Sequence, residues 1–191
     1  MTRPPVSDPL PYAERLDARP LDAIDLVVIH CTELPDLATA REYGERVLHA
    51  GSGTGNSGHF YIDRDGGVQQ WVPLDRVAHH VHGHNRNSIG IELVNRGRFP
   101  DWLDSRCQSM KEPYPPAQID ALVELLRHLA ATLPGLRHVA GHDQLDRGWV
   151  NASDDAGVQV RRKQDPGPLF PWDAVLARIG LSPLPEATTS G

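Results

Sequence analysis

Three residues of this chain have the types a divalent metal needs and lie where a fold could bring them together: His30, His142 and Asp165. His30 closes the apolar run Leu26-Val27-Val28-Ile29, and His142 follows the short run Leu136–Ala140 by two residues. Both runs read as buried strands. In open α/β sheets ligands gather outside the carboxyl ends of strands, so both imidazoles can enter one cleft. Asp165 sits in Asp-Pro-Gly-Pro, a rigid turn that fixes the direction of its carboxylate,. Two imidazoles and a carboxylate suit Zn²⁺, leaving a fourth tetrahedral position for water. Taken singly, each histidine reads as a hydrogen-bonded structural residue; only the trio points to a metal.

Other residues invite chemistry more weakly. Glu92 lies in the apolar stretch Ser88–Val94, where a carboxylate is costly unless paired or functional,. Lys163 follows Arg161 and Arg162, and such a triplet alone reads as a solvated face. The neighbouring Asp-Pro-Gly-Pro favours a role for Lys163 in the site. His79-His80-Val81-His82-Gly83-His84 resembles a second metal site, because alternate residues of a strand share a face. A His-rich polar loop is the preferred reading. Cys31 belongs to the strand face opposite His30 and reads as core packing. With 2 cysteines in 191 residues there is no disulfide framework,.

The elements that must position these groups follow from the pattern. Residues 1–23 are rich in proline and charge and read as an extended lead-in, 24–181 as one folded domain, and 182–191 as a flexible tail. Within the domain, Ile24–Ile29, Ser88–Val94 and Leu136–Ala140 read as strands. His59–Asp63 and Val68–Val72 flank a turn, as in a hairpin. Helices are expected over Ala38–Ala50, over Pro116–Leu133, where apolar residues recur at three- and four-residue steps, and over Phe170–Ile179. Residues 51–58 read as a glycine-rich loop and 142–169 as a long polar stretch. The fold class is α/β: a single domain with a mixed central sheet flanked by helices.

Composition bounds the function classes. The chain has 39% hydrophobic residues, enough for a core, and its 17 glycines and 17 prolines make it loop-rich without reaching the roughly 25–30% of disordered chains,. A net charge of −6 argues against a general nucleic-acid or anionic-membrane binder,. No apolar stretch approaches the roughly 18 residues of a membrane span. The first twenty residues lack the apolar core of a secretory signal. The expectation is a cytoplasmic protein, or a periplasmic or secreted one whose signal has been removed.

Five blocks in order carry a resemblance. They are Leu26-Val27-Val28-Ile29-His30-Cys31, His59-Phe60-Tyr61-Ile62-Asp63-Arg64-Asp65-Gly66, Ser88-Ile89-Gly90-Ile91-Glu92-Leu93, Gly141-His142, and Lys163-Gln164-Asp165-Pro166-Gly167-Pro168. Together they resemble the zinc-dependent N-acetylmuramoyl-L-alanine amidases of the AmpD type, within the superfamily that includes peptidoglycan recognition proteins. The resemblance implies one Zn²⁺ held by His30, His142 and Asp165, with Glu92 as proton acceptor beside it and Lys163 stabilising the oxyanion. It places His80 close to the substrate and His59 in the strand lining the site, as a structural or supporting partner. Arg161 and Arg162 are expected to pair with carboxylates of peptidoglycan stem peptides.

The implied activity is hydrolysis of the amide between N-acetylmuramic acid and L-alanine, in peptidoglycan or soluble muropeptides. A non-catalytic peptidoglycan-binding module is the alternative. Two departures stand out. Gly58 occupies the position where many relatives carry a tyrosine that assists the metal-bound water. His142 and Asp165 are also further apart than is usual in this branch, so that residues 146–160 are expected to form a loop at the cleft rim.

Overall fold

The computed structural model describes residues 4–185. Seven strands form one mixed sheet in the order β1-β4-β3-β5-β2-β6-β9. They are β1 (Val6–Ser7), β2 (Leu26–Cys31), β3 (Phe60–Ile62), β4 (Val68–Gln70), β5 (Ser88–Leu93), β6 (His138–Gly141) and β9 (Ser182–Pro183). Only the β3–β4 hairpin is antiparallel; the other neighbours run parallel. From β2 the chain builds one half of the sheet through β3, β4 and β5, then crosses to the other side for β6. The crevice at the carboxyl end of β2 therefore lies at a topological switch point, where ligands collect in such sheets.

Strand alternation divides the two faces. Val27 and Ile29 of β2, Ile89, Ile91 and Leu93 of β5, and Val139 of β6 form one core with the long helix α2 (Pro116–Thr132). Proline opens that helix, at a position where its missing N–H costs nothing,. Its buried stripe includes Ile119, Leu122, Val123, Leu126 and Leu129, each contributing about 1.5–3 kcal/mol of transfer free energy. The opposite face carries Leu26, Val28 and His30 on β2, and Ser88, Gly90 and Glu92 on β5. Its small apolar cluster of Leu26, Val28, Val81 and Ala140 leaves room for polar groups.

Several elements differ from the sequence-based expectation. The lead-in is docked rather than extended. Val6–Ser7 adds to the sheet beside β4, and Leu10, Tyr12 and Leu16 are buried with Tyr61 and Trp71. The reason is physical: three large apolar side chains within seven residues find a hydrophobic surface beside the hairpin. Helix α1 (Leu37–Gly44), capped by the Asp36 side chain, stops well short of Ala50. Val47 and Leu48 beyond it are exposed, and the Leu48 and His49 N–H groups donate to the Thr54 carbonyl instead.

The polar stretch expected after residue 142 contains structure of its own. It holds α3 (His142–Leu145) and a two-stranded hairpin of β7 (Trp149–Asn151) and β8 (Gln159–Arg161). Residues 146–160 are thus a hairpin rather than an irregular loop. The last helix is short, α4 (Trp172–Leu176). Ser182–Pro183 of the expected tail pairs with β6, while residues 186–191 lie outside the described residues. Among the described residues, no helix is long and apolar enough to cross a membrane.

If α2 anchors the sheet as described, Leu122→Ala lowers the unfolding free energy in a urea titration by about 2–5 kcal/mol. Leu48→Ala, at an exposed site, changes it by no more than about 0.5 kcal/mol. Equal effects of the two substitutions would contradict this packing.

Candidate metal centre and cleft

Three loops and strand ends bring the ligand candidates together. His30 is the penultimate residue of β2, on the face away from α2, His142 opens α3 immediately after β6, and Asp165 follows the β7–β8 hairpin. His30 Nδ1 lies 3.0 Å from His142 Nδ1 and 2.9 Å from Asp165 Oδ2, and His142 Nδ1 lies 3.0 Å from the same Oδ2. All three residues are buried.

A proton on one ring nitrogen can be donated to Asp165 Oδ2, but the other imidazole then turns a bare nitrogen toward the same oxygen at about 3 Å; a cation satisfies all three atoms at once,. Asp165 Oδ1 is also buried without a hydrogen-bond partner. Two imidazoles and one carboxylate converging in this way fit a divalent metal of the zinc type with an open position.

The electrostatics agree. Burial, aided by the neighbouring His142, pushes His30 down to about 4 despite the opposing pull of Asp165,. Burial alone would raise Asp165, but His142 and His30 hold it well below the ordinary carboxylate range. At neutral pH His30 is therefore uncharged and Asp165 anionic, the protonation states that bind metal.

Glu92 stands directly beside His30 in the β2–β5 register and beside Tyr61 in the β3–β5 register. Burial and the charge of Asp165 raise its carboxyl to about 8, with Lys163 opposing the shift. Gly58 now has an explanation: a Cβ there would come within 2.9 Å of Glu92 Cγ. A tyrosine at this position and the observed Glu92 conformer exclude each other. Lys163 lines the same cleft, whose volume is about 840 Å³.

The remaining candidates separate. His80 lies against the metal triangle, with Nδ1 2.9 Å from His30 Nε2 and Nε2 3.1 Å from Ser88 Oγ. His59 is one layer further back. Its Nδ1 accepts from the Gly90 N–H, and its Nε2 lies 3.1 Å from the Arg76 carbonyl and 2.7 Å from the Arg19 guanidinium. Arg162 reaches the cleft and pairs with Asp146. Arg161 is not among the cleft-lining residues; it donates to the Asp143 and Asp146 carbonyls and covers the ring of the exposed Trp149. His79 and His82 line the cleft, and so do Asn56 and His49, whose ring meets that of His79 edge-on with centroids 4.8 Å apart. The thiol of Cys31 is buried and pushed well above its ordinary value.

Sequence reasoning missed three supports. Arg19, from the docked N-terminal segment, is buried and donates to the Leu74, Asn85, Arg86 and Ser88 carbonyls behind His59. Arg98 forms a buried two-pronged ion pair with Glu33 and also donates to the Arg161 carbonyl, tying the hairpin to the end of β2. No local pattern marks these residues. Gly90 did carry a signal, since an isolated glycine in a strand marks close approach. A Cβ at Gly90 would meet the His80 ring at 2.6 Å.

Comparison with known proteins fits this geometry. The family model described as N-acetylmuramoyl-L-alanine amidase (Amidase_2) matches residues 20–168. The chain belongs to the N-acetylmuramoyl-L-alanine amidase family. This family match takes in His30, Glu92, His142, Lys163 and Asp165. The chain is 38% identical over 121 residues to the N-acetylmuramoyl-L-alanine amidase AmiD of Escherichia coli (strain K12), covering 63% of this chain and 35% of AmiD. It is 31% identical over 141 residues to the 1,6-anhydro-N-acetylmuramyl-L-alanine amidase AmpD of Salmonella typhimurium, covering 69% of this chain and 62% of AmpD. The chain thus spans about a third of AmiD and less than two thirds of AmpD. Among solved structures, the complex of E. coli AmiD with anhydro-N-acetylmuramic acid-L-Ala-D-gamma-Glu-L-Lys superposes with a TM-score of 0.61 at 27% identity, over 89% of this chain and 62% of that one.

The buried imidazoles give the metal-free protein a defined pH response. Burial, with Arg19 nearby, lowers His59 to about 3. The folded-state value lies below the unfolded one, so the unfolded chain takes up protons first and stability falls as pH drops from about 6.5 toward 3. Glu92, raised to about 8, pulls the other way, so the reading is made at the residue: in NMR of chelator-treated protein the His59 ring should stay neutral down to about pH 4, and a His59 ring that takes its proton near 6.5 would contradict this burial,.

Proposed function

We propose that the chain is a zinc-dependent amidase that hydrolyses the bond between the lactyl group of N-acetylmuramic acid and the L-alanine of the stem peptide. Soluble muropeptides, including 1,6-anhydro forms, are the favoured substrates; the 1,6-anhydro substrate in the AmpD relative's name and the anhydro-muropeptide held in the AmiD complex support this choice. The observation that carries the reading is the convergence of His30, His142 and Asp165, with Glu92 one strand away and Lys163 on the same cleft.

His30, His142 and Asp165 would hold the ion. When bound, Zn²⁺ supplies Lewis acidity, polarising a carbonyl and acidifying water. Glu92 has no hydrogen-bond partner among the described residues; burial favours its neutral form in the metal-free protein, and a dication held next to it would favour the carboxylate, the form that can take a proton from the attacking water. The same carboxyl then delivers that proton to the departing amine. The Lys163 ammonium lies in the cleft as the cation for the developing oxyanion, in a partly dried site where such a charge is most effective. At the rim, Arg162 offers a guanidinium to a stem-peptide carboxylate, and His80 and His59 support the site from behind.

The test pairs metal content with product analysis. Purified protein should hold one zinc per chain and release free peptide from anhydro-muropeptides in a chelator-sensitive way. His142→Ala should lose zinc and activity together. Glu92→Gln should keep the metal and lose about 10²- to 10⁴-fold in turnover. Zinc binding without cleavage of either soluble fragments or intact sacculi would favour a binding module instead. Full activity in Glu92→Gln would remove Glu92 from the mechanism.

A further inference from the structure

His30 presents Nδ1 to the ligand triangle, and its other ring nitrogen is engaged by a short relay. His30 Nε2 lies 2.9 Å from His80 Nδ1, His80 Nε2 lies 3.1 Å from Ser88 Oγ, and Ser88 Oγ donates to the His84 carbonyl at 2.7 Å. The far end fixes the polarity. A carbonyl oxygen only accepts, so the single Ser88 hydroxyl proton is spent on His84. Ser88 Oγ then accepts from His80, which places the His80 proton on Nε2 and leaves His80 Nδ1 bare.

The near end demands the same arrangement. A lone pair on His30 Nδ1 facing a cation leaves the ring proton on Nε2, and that N–H needs an acceptor. The bare His80 Nδ1 is that acceptor. In the opposite tautomer the one Ser88 proton would have to turn from the His84 carbonyl to His80 Nε2, leaving that carbonyl without its donor, or His80 Nε2 and Ser88 Oγ would face each other as two acceptors,. The relay therefore stabilises the metal-binding tautomer of His30 over the other.

The surroundings hold His80 in place for this. Its ring occupies the space left by the missing side chain of Gly90, where a Cβ would approach within 2.6 Å. The Asn85 side-chain oxygen accepts from the His80 and Val81 N–H groups at 3.0 and 2.8 Å, fixing the loop. The His30 and His80 rings meet edge-on, with centroids 5.1 Å apart and planes at 84°.

We infer that His80 and Ser88 are positioning residues for the metal, setting the tautomer and orientation of His30. Both ring nitrogens of His80 are consumed by the relay, so its role lies behind the ligand and not in polar contact with substrate. This inference rests on the metal-centre reading above. Outer partners of a ligating histidine typically affect metal affinity by about 10- to 100-fold.

The test measures zinc affinity by competition with a chromogenic chelator, alongside thermal melts of the metal-free proteins. His80→Phe keeps an aromatic ring over Gly90 and removes the acceptor; its zinc affinity should fall by about 10- to 100-fold. His80→Asn returns an acceptor oxygen near the position of Nδ1 and should recover most of the loss. Ser88→Ala removes the partner that orders the His80 proton and should weaken zinc with the metal-free Tm little changed. Unchanged affinity in His80→Phe or in Ser88→Ala overturns the inference, and so does a loss in His80→Asn equal to that in His80→Phe. Should the phenylalanine variant fail to fold, the asparagine and alanine variants decide. Failure of the wild-type chain to bind zinc would instead refute the metal centre itself, and this inference with it.

Discussion

Three candidate ligand atoms about 3 Å apart, His30 Nδ1, His142 Nδ1 and Asp165 Oδ2, converge in a buried pocket. Bringing unpaired lone pairs into a buried pocket is unfavourable unless a cation joins them. The fold meets that cost with rigid supports. β2 lies between β5 and β6 and carries His30 to the switch point of the sheet. α3 starts as β6 ends, so His142 arrives with its backbone already fixed. The two-pronged Arg98–Glu33 pair, through the Arg161 carbonyl, ties the hairpin that leads into Asp165 to the end of β2.

The site also depends on the division of labour between the faces of the sheet. One face spends its side chains on packing with α2, and that core supplies the stability. The other face is free to carry Ser88, Gly90, Glu92 and His30, none of which contributes to the main apolar core. Glycines at 58 and 90 matter because they are empty. One leaves space for Glu92 and the other for His80. A larger residue at position 58 would press on Glu92, and one at position 90 on the His80 ring.

Much of this was legible in the sequence, for identifiable reasons. The alternation in Ser88-Ile-Gly-Ile-Glu-Leu shows which side of β5 faces the core, and the stripe in α2 shows what covers it. His30 and Glu92 interrupt apolar strands, where a polar side chain requires a reason. The β7–β8 hairpin was hidden because Trp149, Asn151 and Gln159 are exposed, leaving little apolar pattern to read. The docking of the N-terminal segment was obscured by prolines and charges around Leu10, Tyr12 and Leu16. Arg19, Glu33 and Arg98 were invisible for a different cause. A buried charge is recognised by its distant partner, and local sequence does not show that partner.

The most direct measurement of the central claim is X-ray absorption at the zinc edge of the zinc-loaded protein. The account predicts one zinc per chain in a four-coordinate shell of nitrogen and oxygen at about 2.0–2.2 Å, with the outer-shell scattering of two imidazoles. A sulfur neighbour at about 2.3 Å, as would come from Cys31, or a shell without two imidazoles, would contradict it.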